Sequence, residues 1–448
     1  MTERSRRAFL AAASGVALAA TAGCSRLPVV GNSDSGVDYD AERLQSAVEP
    51  VNEPASPTYP GPVPDALATT HYERGRELLA AVPEFPEIPN GVVAADVSTD
   101  REEADEALAE PPAAVDTLDA LGDWRRYRVD AATVRGAYEA ATGNADRDAL
   151  RQRRTSIRDD LHAFRGDWAY RAENAVEAVT VHRRLETLAA DIEQSLVADR
   201  PFPDEPKRAV SDVGSLVGGV EAARAKVTDA AALRDTYRDS SMSGYWSAVA
   251  TAAERLRAAT RSTRIRVSSY VDRDAEASDF WRNVANTPAE RLFDLTSGGA
   301  RHEMDFAESR VDNAEYARAV TSSGRALVDL LALDSITDAI QNDEYKMPPS
   351  TDAVLDARER AVDAVASVDA APLTDLFGWR ARTALATGDY RLGGYPESDY
   401  EDLPDRREVR DAVANYALAV HTANAIPAVT ERVREELHAA VESGASNA

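Results

Sequence analysis

Cysteine is almost missing from this chain: Cys24 is the only one in 448 residues. No disulfide can form within the chain, and neither a CxxC redox pair nor a thiolate-rich metal site can be assembled. Lysine is nearly as scarce, with Lys207, Lys226 and Lys346 alone. Preceded by Pro206, Ala225 and Tyr345, none of them closes a GxxxxGK phosphate loop. GxGxxG, GxSxG and HExxH are missing, as is the Asp-x-Asp-x-Asp-Gly spacing of an EF-hand. No asparagine opens an Asn-x-Ser/Thr sequon, since Asn286-Thr287 is followed by Pro288. Beyond residue 24 no run is apolar for the ~20 residues that a membrane-spanning helix needs.

What the chain has is acid. Asp and Glu number 77 against 51 Lys and Arg, a net charge of −26, and removing residues 1–23 (Arg4, Arg6, Arg7 and Glu3) leaves −28. Phosphate backbones are repelled by such a surface, so nucleic acid is not an expected partner. At multimolar salt the Debye length falls to ~3 Å or less and the self-repulsion is largely screened.

The amino terminus carries its own logic. Ser5-Arg6-Arg7-Ala8-Phe9-Leu10 leads into an apolar stretch, Ala11 to Ala20, and then Thr21-Ala22-Gly23-Cys24. A charged start, a short apolar middle and small residues before a cut make a secretory signal. Paired Arg6 and Arg7 with Phe9 and Leu10 resemble a twin-arginine export signal, and Thr-Ala-Gly-Cys resembles a lipobox. Together they are similar to the leaders of twin-arginine-exported haloarchaeal lipoproteins, and the Asp/Glu-rich, Lys-poor composition resembles that of halophiles' proteins. The resemblance implies removal of residues 1–23, a lipid on Cys24, a passage through the twin-arginine machinery and a place on the external face of the cell membrane. It covers residues 1–24 and implies no fold.

From Cys24 to Pro64 the sequence predicts a tether: a Gly/Ser/Asp-rich part to Asp38, a short helix within Asp40–Glu49, then Pro50, Pro54, Pro57, Pro60, Pro62 and Pro64. From Asp65 onward Ala, Arg, Glu and Leu predict helix almost throughout, over Asp65–Ala81, Asp100–Leu121, Trp124–Thr142, Asp146–Asp199, Asp204–Arg238, Tyr245–Ala277, Pro288–Leu295, Arg301–Asn342, Thr351–Val368, Leu373–Thr387 and Pro404–Val441. Only Asn90–Val97 looks strand-like. The expected class is all-α, with two halves, 65–200 and 201–448. In the first, an apolar stripe from Ile157 to Leu196 at a mean spacing near 3.5 predicts one long helix, 146–199. A stripe of that length needs partners, so we expect an elongated bundle of long antiparallel helices with coiled-coil-like packing. His182 lies on the stripe and reads as a hydrogen-bonded core histidine. Gly214, Gly218 and Gly219 read as a close helix contact or a bend.

Few residues suggest chemistry. His302 and Asp305 stand one helical turn apart, where they could share a metal, but no second histidine joins them and no cofactor is expected. Arg257, Arg261 and Arg264 step along one helical face and form a candidate interaction surface, the bland alternative being pairs with acidic neighbouring helices. Tyr390, Tyr395 and Tyr400 punctuate an irregular Gly- and acid-rich stretch, a candidate recognition loop or a connector capping the bundle. The expectation is a lipid-anchored, surface-displayed binding or scaffolding module with an unidentified protein partner and no evident catalysis. The alternatives are a solute-binding lipoprotein of a transporter and a helical envelope enzyme.

Overall fold

The computed structural model describes residues 38–48, 62–115, 117–197, 201–237, 242–268, 284–369, 371–393 and 404–445. As the composition dictates, the fold is all-α. Among the described residues there are thirteen α-helices: α1 Ala41–Ala47, α2 Ala66–Ala80, α3 Gly91–Ala107, α4 Leu118–Thr142, α5 Arg147–Gly166, α6 Ala175–Leu196, α7 Val210–Asp235, α8 Trp246–Ser268, α9 Pro288–Asp312, α10 Tyr316–Gln341, α11 Thr351–Ala366, α12 Pro372–Gly393 and α13 Arg406–Ala445. Two dipeptides, β1 (Arg171–Ala172) and β2 (Ser243–Gly244), pair antiparallel with Arg171 opposite Gly244. Among the described residues no helix is long and apolar enough to cross a membrane.

The chain divides into two units. The first comprises residues 1–55, 261–302 and 324–432, and the second residues 56–260, 303–323 and 433–448. Leu44, Leu292, Phe293, Ile336, Val354, Leu392, Val409 and Tyr416 are buried together in the core of the first unit. Leu78, Leu108, Leu121, Ile157, Leu185, Ile192 and Leu233 do the same in the second. Each such side chain contributes about 1.5–3 kcal/mol when fully withdrawn from water. Helix α1 is docked onto the first unit: Leu44 is buried, Tyr39 Oη donates to the Pro348 carbonyl at 2.7 Å, and Arg43 pairs with Asp352 at 2.6 Å.

The stripe from Ile157 to Leu196 predicts one helix over 146–199; the structure has two, α5 and α6. Local chemistry breaks the run. Gly166 ends α5 and Asp167 caps it, Tyr170 takes a left-handed φ of 47°, and Asn174 starts α6 by accepting the Glu177 N–H at 3.0 Å. A free amide cap satisfies orphan N–H groups that a continuous helix would have paired along the backbone. Asn90–Val97, expected to look strand-like, opens α3, because the Asn90 side chain caps Val92 N–H and Val97 and Ala104 turn one face inward. The interruption expected between Leu295 and Arg301, at Ser297-Gly298-Gly299, does not occur either. Helix α9 runs through this stretch and stops at Asp312, and Ala314 at φ 58° makes the turn into α10. Gly299 is required for a different reason: a Cβ there would collide with the Arg380 guanidinium and the Asp329 carboxylate.

In the second unit α4 and α7 approach through glycine. A Cβ on Gly136 would lie 2.7 Å from Val217 Cβ, one on Gly214 would lie 2.8 Å from the Thr133 carbonyl oxygen, and one on Gly218 would strike the Thr133 hydroxyl. Of the three glycines expected to mark a close helix contact or a bend, Gly214 and Gly218 make the contact, whereas Gly219 faces open space.

Candidate functional site

The break between α5 and α6 builds a cavity. Residues 167–171 leave the helix, and the β1–β2 ribbon and the Tyr245 N–H bond to the Tyr170 carbonyl (3.1 Å) hold them in place. A cavity of about 150 Å³ opens between them, α6 and α7, lined by Asp167, Trp168, Ala169, Tyr170, Arg171, His182, Arg234 and Tyr237. Its aromatic wall is a connected stack. Tyr170 lies parallel to His182 with centroids 4.8 Å apart, and Trp168 leans on Tyr170 at 5.4 Å and on Phe164 at 5.0 Å.

Polar atoms on that wall have protein partners. Trp168 Nε1–H donates to His182 Nδ1 at 2.8 Å, which assigns the ring proton to Nε2, and Nε2–H donates to the Arg171 carbonyl at 3.0 Å. Burial lowers the His182 pKa to about 4, against the pull of the carbonyl, so the ring is neutral near pH 7. His182 is the hydrogen-bonded core histidine that its place on the stripe implied. The Tyr170 hydroxyl donates to Glu186 Oε1, and the same carboxylate caps the first turn of α10, taking Ala317 N–H at 2.9 Å and Arg318 N–H at 2.6 Å. Burial raises the Glu186 pKa to about 7, opposed by the Tyr170 hydroxyl and those two backbone donors. On the open side, Arg171 Nη1 donates to the Met242 carbonyl at 3.0 Å and Arg234 Nη1 to the Phe164 carbonyl at 3.2 Å, and Arg234 also pairs with Asp235.

A second polar cluster in this unit joins α2, α4 and α7. Arg128 donates to Glu221 Oε1 from Nη2 at 2.6 Å and from Nε at 2.8 Å, and its Nη1 donates to His71 Nδ1 at 3.2 Å. His71 Nε2 then donates to Asp229 Oδ1 at 2.8 Å, and Arg125 reaches Asp229 Oδ2 at 2.9 Å. Burial would raise the Glu221 carboxyl, but Arg128 and Arg74 hold it below the usual range. His71 and Asp229 are fully buried. A largely buried network of this kind fixes how three helices register.

The first unit brings together a Ser, a His and a Tyr. Ser335 Oγ lies 3.0 Å from His421 Nδ1, and Tyr345 Oη lies 2.7 Å from Nε2. Tyr345 reaches the ring from a left-handed φ of 61°. The outline is that of nucleophile, base and orienting group. Burial lowers His421 to about 4 and raises Tyr345 to about 12, so both stand neutral near pH 7, and the two ring nitrogens are engaged by neutral hydroxyls rather than by a carboxylate.

The residues singled out in the sequence are scattered by the fold. Arg257 pairs with Glu254 one turn earlier on α8 at 2.6 Å, while Arg261 and Arg264 lie exposed further along that helix. The flanking Arg255 comes within 3.9 Å of Glu436 on α13, and Arg266 within 4.0 Å of Asp334 on α10. His302 and Asp305 are both exposed on α9. Among the described residues no three His, Cys, Asp or Glu side chains are grouped as a metal would need. Tyr390 belongs to α12, and Tyr395 and Tyr400 lie outside the described residues. Arg6, Arg7, Phe9, Leu10 and Cys24 lie outside them too. Of the cavity residues, Trp168 and His182 lay on the apolar stripe, which pointed to the core rather than to a wall, and the others carried no signal in the sequence.

Residues 66–244 match the family model of a domain of unknown function, DUF8262, and residues 246–435 match that of a second, DUF8264. The two matches meet at Tyr245, directly after β2. No curated protein and no solved structure matches the chain.

Proposed function

We propose that this chain is a lipid-anchored helical binding or scaffolding protein on the external face of the cell membrane, exported by the twin-arginine route. The observation that carries the reading is the pairing of Arg6-Arg7-Ala8-Phe9-Leu10 with Thr21-Ala22-Gly23-Cys24 across a short apolar stretch. Supporting it, the acidic, lysine-poor composition suits a protein bathed in concentrated salt. Binding is favoured over catalysis because the cavity offers recognition groups of both charges, while Ser335, His421 and Tyr345 provide no charge to hold an imidazolium. The external placement is tested by fractionation. Replacing Arg6 and Arg7 with Lys should leave the precursor inside the cell, and Cys24→Ser should release the protein from the membrane fraction. A Cys24→Ser protein that stays in the membrane with unchanged mobility would remove the anchor from this reading.

A second reading, a solute-binding lipoprotein that delivers to a transporter, is favoured by the cavity between α5, α6 and α7.

A further inference from the structure

We propose that this cavity binds a small zwitterionic solute of amino-acid size, with Arg171 taking the carboxylate and Asp167 and the ring faces of Trp168 and Tyr237 taking the cationic end. The inference rests on the binding-module reading and names its ligand class.

Size sets the first bound. A cavity of about 150 Å³ is in the range that takes a benzene-sized molecule, room for roughly six to eight non-hydrogen atoms. A peptide segment or a nucleotide does not fit, and a free amino acid or a small betaine does.

Charge sets the second. The wall holds guanidinium groups from Arg171 and Arg234 and the carboxylate of Asp167. A lone anion would meet Asp167, and a lone cation would meet two arginines. A solute carrying both charges satisfies both ends. Arg234 is committed to the Phe164 carbonyl and Asp235, so Arg171 is the better anion contact. A guanidinium carries five N–H donors, and the Met242 carbonyl engages Nη1. A carboxylate offers about four acceptor sites, so Asp167 can hold an ammonium alongside a protein partner.

The aromatic wall sets the third. Trp168 Nε1, both His182 nitrogens and the Tyr170 hydroxyl all bond within the protein. The wall therefore offers the cavity aromatic surface rather than hydrogen bonds; Tyr170 and His182 stack on each other, which leaves Trp168 and Tyr237 as the lining rings for a cation, most of all a poorly hydrated one. In concentrated salt long-range steering is gone, because the Debye length is ~3 Å or less. Recognition must then come from direct contact, which is what a closed wall of short-range groups supplies.

The test uses the full chain in multimolar NaCl, titrated calorimetrically and by melting with glycine betaine and proline at up to millimolar concentration. Acetate and choline serve as single-charge controls. One or both zwitterions should bind with saturation and raise the melting temperature, with acetate and choline without effect at equal concentration. Arg171→Gln and Asp167→Asn should each weaken binding about tenfold or more, the loss of one charge-assisted contact. Both positions lie at the cavity edge, and the unliganded melting temperature of each variant reports its folding. Acetate binding as well as the zwitterions do would overturn the zwitterion class, and so would choline binding alone. Binding unchanged in both variants would overturn the site, and silence from all four probes would overturn the proposal. That silence would leave a protein-binding module on the cell surface standing, whereas failure of the fractionation test would remove the display reading without touching the cavity.

Discussion

Glu186 is a carboxylate withdrawn from water and given three hydrogen-bond donors in return, the Tyr170 hydroxyl and two N–H groups of α10. Its folded pKa, raised to about 7 by burial, lies above the unfolded value near 4.5. The stability it adds is therefore complete below about pH 4.5 and is lost as pH rises through 7, a swing of about 3 kcal/mol. His182 and His421 act the other way. Lowered to about 4 by burial, they contribute above about pH 6.5 and lose that contribution as pH falls through 4. We expect Glu186→Gln to carry some constant cost from its misfit amide, and on top of it a melting-temperature difference from the parent that shifts in the variant's favour between pH 5 and 8. A difference that does not change with pH would show that Glu186 titrates normally. Little at this scale was legible in the sequence. His182 announced itself by its place on an apolar stripe. His71 and Asp229 stand 158 positions apart, and no local pattern links them. Arg171 and Tyr237 carry no periodic signal, because they line a cavity made by a helix break rather than by a motif.

At the scale of elements, glycine separates close packing from mere tolerance. Gly218 and Gly219 are neighbours on α7, yet only Gly218 meets α4. Gly218→Ala should cost about 1–3 kcal/mol, since the added methyl must displace the Thr133 side chain in a packed interface. Gly219→Ala should stabilise by about 0.5–1 kcal/mol, because it removes backbone entropy from the unfolded chain without a clash. Chemical unfolding of both variants checks the pair, and equal effects would contradict the asymmetry. Asn174→Ala should cost about 1 kcal/mol through the lost cap on α6, and it should loosen the 167–174 segment that walls the cavity. Helical class was legible because Ala, Leu, Arg and Glu agree along most of the chain. The break in the 157–196 stripe was not, because heptad-like spacing runs on through Trp168 and Ala172 although the backbone turns between them. Here Gly166, Asp167 and Asn174 outweigh periodicity: short polar side chains and a glycine give the backbone a cheaper way to satisfy its donors. Gly298-Gly299 misleads in the opposite sense: Gly299 makes room for Arg380, Gly298 faces open space, and neither ends α9.

At the scale of the whole molecule, the charge of −26, or −28 with residues 1–23 removed as proposed, must be tolerated by both units. Raising NaCl from low to multimolar should increase the melting temperature by at least several degrees, since ~1 kcal/mol moves a unit of this size by about 2–4 °C. Dialysis to low salt should loosen the helical circular dichroism, and identical melting at both ends of the series would argue against a surface adapted to salt. The sequence reports this charge directly and says nothing about which segments it crowds. It equally hides that Tyr39, Arg43 and Leu44 are gripped by the first unit, because a seven-residue helix has no pattern long enough to declare a partner. That grip has a consequence for where the protein can work. With the lipid on Cys24, as proposed, the chain from the bilayer to Asp38 is about fourteen residues, at most ~50 Å at full stretch. The mooring point at α1 sets a leash, and that end of the first unit stands no further from the membrane surface than the leash allows. Any partner that contacts the α1 end must come down into this layer or already be embedded there.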